Sequence, residues 1–138
     1  MARVGYFGGN SAHVQRSASD LDVAWLPATP TWTGCEWRSG TVWYYAVREL
    51  TVVLYDVVVA VGDGAAAFAM SLPRRASTPT EAVVFARTHG DDAEPQASMC
   101  VAIASGEELR FEPAAPLAPG EYALRGQLTL RTDANHRE

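Results

Sequence analysis

His89, Asp91 and Asp92, close together in "THGDDAE", are residue types that bind divalent ions, an imidazole and two carboxylates offering nitrogen and oxygen donors. Their spacing lacks the regular oxygen ligands of a calcium loop, so the stretch is expected to be a solvated polar loop. Asp63, between Gly62 and Gly64, is expected to be a turn residue, because tight hairpins favour Gly and Asp. Nucleophilic catalysis needs a nucleophile, a base and an orienting acid brought together. Ser, His and Asp all occur, but His13 and His136 lie toward the two ends, and no Gly-x-Ser-x-Gly elbow presents a nucleophile. Cys35 and Cys100 are far apart and form no Cys-x-x-Cys pair, so both are expected to be packed, inert thiols. The residues therefore assign no catalytic group, no cofactor and no metal, and the chain is expected not to be an enzyme.

The groups suited to recognition are aromatic and basic. Three of the four tryptophans, Trp32, Trp37 and Trp43, stand beside Tyr44 and Tyr45, and such side chains stack on sugar rings or anchor protein interfaces. Strand alternation sends Trp43 and Tyr45 to one face and Tyr44 to the other, which favours packing at a core edge and in subunit contacts. Arg74 and Arg75, after Pro73, are expected in an exposed loop that can meet an acidic partner or a neighbouring copy. The expected subunit or partner contacts are Trp32, Trp37, Trp43, Tyr45, Val53, Tyr55, Val57, Arg74 and Arg75.

A chain of 138 residues, 48% hydrophobic and 20% charged, has the makeup of one domain with a genuine core. The formal charge is −5 and the basic residues are scattered, which removes the electrostatic case for a nucleic-acid partner. The first residues lack the apolar centre of a signal peptide, and a run such as Val57 to Val61 is far too short to span a bilayer. Synthesis in the cytoplasm and no membrane partner are expected.

Residues 1–28 have no sustained period of 2 or 3.6 and read as an arm, with at most one helical turn before Pro27. Residues 133–138 read as a polar tail, leaving 29–132 as the domain. Thr41 to Val47 and Leu50 to Val61 are rich in β-branched and aromatic residues and read as strands. Gly62-Asp63-Gly64 is expected to turn the second of these into a hairpin with Ala65 to Leu72, closed by Pro73. Glu81 to Thr88 and Ala97 to Ala104 are expected to pair across a polar loop. In "EELRFE" and "EYALRGQLTLRT" apolar and polar residues alternate, as in half-buried strands. Leu50 to Val61 is apolar on both faces apart from Asp56, so it needs two covers, and a subunit contact is the expected second one. The predicted fold is an all-β, antiparallel β-sandwich, jelly-roll-like, of about seven or eight strands with an extended N-terminal arm.

"TPTWTG" at 29–34, "GTVWYY" at 40–45, the long strand after it, "SLP" at 71–73 and "APLAPGEYALRGQLTLR" at 115–131 follow one another in a telling order. Together they resemble a β-sandwich domain recurrent in bacteriophage virion proteins, especially tail-fibre, minor tail and head-fibre chains. Gly120-Glu121 stands where that family has Gly-Asp, and Gly126-Gln127-Leu128 lacks its terminal tyrosine. The resemblance implies a structural virion protein: a capsid decoration or head-fibre subunit, self-assembling as a homotrimer. Residues 1–28 would bind other virion proteins such as the major capsid or tail proteins. A tail-fibre or baseplate receptor-binding module with aromatic glycan contacts is the alternative, and a small-ligand barrel or enzyme is a third reading.

Overall fold

The computed structural model describes residues 24–63, 66–90 and 96–132, and within that range every regular element is a strand. In chain order these are β1 (Leu26–Ala28), β2 (Trp32–Thr33), β3 (Glu36–Val47), β4 (Leu50–Val61), β5 (Phe68–Thr88), β6 (Ala97–Pro113) and β7 (Gly120–Arg131). All pairings are antiparallel and build one curled sheet in the order β1-β3-β4-β7-β5-β2, with β6 on β5. The expectation of an all-β, antiparallel fold of about seven or eight strands therefore holds, with seven strands in one sheet.

β-branched residues dominate β4, and it takes the centre of the sheet, paired along its whole length with β3 on one edge and β7 on the other. A turn at Arg48 and Glu49 joins β3 to β4, with Arg48 at φ 56°. β3 is bulged between Trp37 and Ser39, and just beyond the bulge Gly40 adopts φ 105°. A Cβ there would stand 2.2 Å from the Asp56 carbonyl oxygen, so only glycine lets β3 lie this close to β4.

β5 and β6 form a long ribbon that bends. Ser71 pairs with Glu108 and Thr80 with Ala104, so β5 carries a long excess of residues between those two rungs. Pro73 and Pro79 sit in that excess, where the missing proline N–H takes nothing from the ladder, and Gly106 at φ 63° lies opposite. Bent in this way, the ribbon lays Phe68, Met70, Val84, Cys100, Leu109 and Phe111 into the core with the inward residues of β4 and β7. Tyr55 of β4 meets Phe111 of β6 edge-on, with centroids 5.6 Å apart, and Phe111 stacks on Phe68 at 5.3 Å. Two buried threonine hydroxyls, Thr51 and Thr132, satisfy each other at 3.2 Å. The alternation read in the last two strands is kept: Leu109, Phe111, Tyr122, Leu124, Leu128 and Leu130 are all buried.

Three expectations change. No hairpin joins β4 to β5: β7 occupies that edge of β4, and β5 runs through Pro73 rather than stopping at it. Leu26–Ala28, assigned to the arm, is a strand on β3, so the sheet begins before residue 29. Residues 1–23 and the tail 133–138 lie outside the described residues.

Candidate functional site

Strand alternation divides β4 into two rows with different fates. Val53, Tyr55, Val57 and Val59 point inward and are buried, at most 2% exposed, beneath β5 and β6 of the same chain. The cover expected from a second copy for Val53, Tyr55 and Val57 is thus supplied from within. The opposite row, Leu50, Val52, Leu54, Asp56 and Val58, faces outward, and its upper part meets the aromatic residues of β3. Trp43 pairs with Leu54 and Tyr45 with Val52, while Pro27 of β1 pairs with Trp43. Trp25 packs edge-on against Tyr45, centroids 4.6 Å apart. Trp25 is 42% and Trp43 36% exposed, a high value for indoles already resting on neighbours. Val47 and Leu50 extend this apolar surface toward the β3–β4 turn.

The other expected contact residues scatter. Trp32 is half-buried in β2, paired with Met70 and packed on the core edge. Trp37 is 49% exposed and lines a cleft of about 200 Å³ with Ala28, Pro30, Trp32, Gly40 and Val42. Arg74 and Arg75 fall in the bend of β5, Arg74 half-buried and Arg75 exposed, 3.6 Å from Glu107. His89 is exposed and its backbone N–H donates to the Glu121 carbonyl at 2.9 Å; Asp91 and Asp92 lie outside the described residues. Among the described residues no group of three His, Cys, Asp or Glu side chains gathers. Asp63 is exposed in a turn whose next residue, Gly64, lies outside the described range. Both cysteines are free. Burial and the neighbouring Glu36 charge push the Cys35 thiol up to about 11, and burial raises Cys100 as well.

A second exposed apolar surface was missed from the sequence. On the outer face of the ribbon, Val83 is 61%, Phe85 46% and Met99 45% exposed, and the half-buried Val101 and Ile103 complete it. Cross-strand register makes these neighbours: Glu81 pairs with Ile103, Val83 with Val101, Phe85 with Met99 and Arg87 with Ala97. The signal was present in the alternation of 81–87 and 97–103. It could not be told which row would face out until the ribbon had a partner layer.

No protein-family model matches the chain, and neither a curated protein nor a solved structure matches it. Between the two apolar patches runs β7, whose outward residues Arg125, Gln127, Thr129 and Arg131 are exposed. Arg125 holds Asp56 at 3.2 Å and Arg131 holds Glu49 at 3.0 Å. These pairs are solvent-exposed and contribute little to stability, but they fix a polar stripe across the sheet.

Proposed function

We propose that the chain is a non-catalytic structural subunit of a bacteriophage virion, a capsid decoration or head-fibre module held to the particle by its aromatic outer face together with residues 1–28. The carrying observation is the Trp25, Trp43 and Tyr45 group, which stays accessible on a sheet whose core is complete without it. Tryptophan and tyrosine dominate the energetics of protein interfaces, and fully burying one large apolar side chain contributes roughly 1.5–3 kcal/mol. The group also stands where residues 1–23 join the sheet, so arm and face would grip one partner together. The virion setting rests on the sequence pattern of residues 29–131 described above. In this reading the curled sheet closes on itself as a sandwich. That closure is supported by the ring contact of Tyr55 with Phe111 from the facing ribbon. It is supported too by the Tyr122 hydroxyl, which donates to the Ala118 carbonyl at 2.7 Å in the manner of the corner tyrosine of sandwich domains.

The test is composition. Particles purified from cells in which the chain is made should carry it in many copies, and the Trp43→Glu chain should fold yet stay in the supernatant. A wild-type chain absent from the particles overturns the proposal.

The Trp37 cleft favours a second reading, a receptor-binding module of a tail fibre or baseplate. A half-exposed indole beside Pro30 and Trp32 offers a stacking surface for a sugar ring. Saturable glycan binding lost in Trp37→Ala would support it, and a wild-type chain that binds no glycan at millimolar ligand would end it.

A further inference from the structure

The outer face of the β5–β6 ribbon has an order of charges that the aromatic face lacks. Along β5 its outward row reads Glu81, Val83, Phe85, Arg87: an anion, two exposed apolar side chains, then a cation. Beside it on β6 stand Ile103, Val101, Met99 and Ala97, with no charge among them. Neither Glu81 nor Arg87 forms an ion pair among the described residues, although every other outward charge on β7 next to them does.

We propose that this face is a two-fold contact between two copies of the chain. Under a two-fold axis through the middle of the row, the two β5 strands run in opposite directions, so Glu81 of one copy meets Arg87 of the other at both ends. The row is self-complementary, the property that an isologous interface requires. Glu81 and Arg87 are six residues apart, about 20 Å at strand rise, and Val83 and Phe85 fill the interval. Sheets stacked about 10 Å apart cross at roughly 30°, an offset that the long Glu and Arg side chains absorb at the ends. The apolar centre, with three side chains near half exposure or above, is comparable to the few hundred Å² of a functional patch on a monomer. Two such faces bury less than the roughly 1,200 Å² at which specific interfaces begin to be stable, so the dimer is weak and forms at micromolar concentration or above.

This deepens the assembly reading by naming one partner as the chain itself, and its test does not depend on particles. Sedimentation equilibrium of the full chain up to several hundred micromolar should detect the dimer. Glu81→Arg sets cation against cation at both ends, and Arg87→Glu sets anion against anion, so each should weaken dimerisation by about tenfold or more. The double variant Glu81→Arg, Arg87→Glu restores opposite charges with reversed polarity and should return to within about threefold of wild type. Were this face to meet a different surface of the other copy, the β4 face included, the double swap would damage the contact twice instead of repairing it. Circular dichroism checks that the fold persists. Phe85→Lys, in the centre of the contact, gives an independent route and should be monomeric. A monomeric wild type, single swaps that dimerise like wild type, an unrepaired double swap, or a Phe85→Lys dimer of wild-type strength overturns the contact. None of these outcomes bears on whether the chain is found in particles.

Discussion

Gly126→Ala is a one-methyl change whose effect follows from the geometry. Gly126 of β7 sits opposite Tyr55 of β4, and a Cβ there would lie 2.4 Å from the Tyr55 hydroxyl oxygen and 2.7 Å from Cζ. Ordinary carbon contacts begin near 3.5 Å, so the ring must retreat by about 1 Å. It has little room, since Tyr55 is 2% exposed and rests edge-on against Phe111, itself stacked on Phe68. Overpacking of this kind costs about 1–3 kcal/mol. Against it stands the gain of replacing glycine within a strand, roughly 0.5–1 kcal/mol. The net expectation is a loss of about 1–2 kcal/mol, read from the denaturation midpoint at unchanged slope. Placed in a Tyr55→Leu background, the same substitution should become neutral or stabilising, because the clash is gone and the chain-entropy gain remains. A Gly126→Ala chain as stable as wild type, or a loss of equal size in both backgrounds, would show that Tyr55 does not lie over Gly126.

Gly40→Ala should be far worse, by about 3 kcal/mol or more, because its methyl would meet the Asp56 oxygen and the Val57 Cα, both backbone, from a φ that side chains rarely adopt; failure to recover folded protein, or a stability loss of that size, is the expected outcome. Alkali should destabilise the chain between about pH 9 and 12. Burial holds Tyr55 up to about 12 and Cys35 up to about 11, so above the ordinary values of 10 and 9 the unfolded chain ionises while the folded one keeps its protons. The thermal midpoint should fall across that window, and Tyr55→Phe should remove the part of the fall above pH 10. That variant should otherwise cost little near neutral pH, since among the described residues the Tyr55 hydroxyl makes no hydrogen bond. Alkylation should be slow at both thiols at neutral pH, with Cys35 accelerating above pH 10 and Cys100, wholly buried, reacting only on unfolding.

Strand existence was legible because the signals are local. Trp43-Tyr44-Tyr45, the β-branched run of β4 and the alternation of Tyr122 to Leu130 each constrain a few adjacent residues, and all became strands. Pairing was not legible where it depended on distant partners. Gly62-Asp63-Gly64 carries hairpin chemistry, yet β4 gains more from β7, whose inward Tyr122, Leu124 and Leu128 continue the apolar row of Val59, Val57 and Val53. The same ambiguity hid which surface stays exposed: both rows of β4 are apolar, and only the bend of β5 at Pro73 and Pro79 decides which row the ribbon covers. Val53, Tyr55 and Val57, expected as subunit contacts, therefore form the core, and the exposure of Val83, Phe85 and Met99 depends on the same distant cover.

That strand order also bears on the function proposed. Without β7 between them, β4 and β5 would set their outward rows side by side and merge Leu54 and Trp43 with Val83 and Phe85 into one broad apolar sheet face. Such a face associates without discrimination. β7 lies between them instead, and its Arg125 and Arg131, paired with Asp56 of β4 and Glu49 of the β3–β4 turn, keep a polar stripe along the division. The surface becomes two patches of different chemistry, one aromatic beside the N-terminal residues, one aliphatic and ended by opposite charges. A subunit that must hold a particle with one surface and its own copy with another needs that division, because a mutation or ligand acting on one patch then leaves the other intact. The two should accordingly fail separately: Trp43→Glu should dimerise like wild type, and the single charge swaps should still reach the particle.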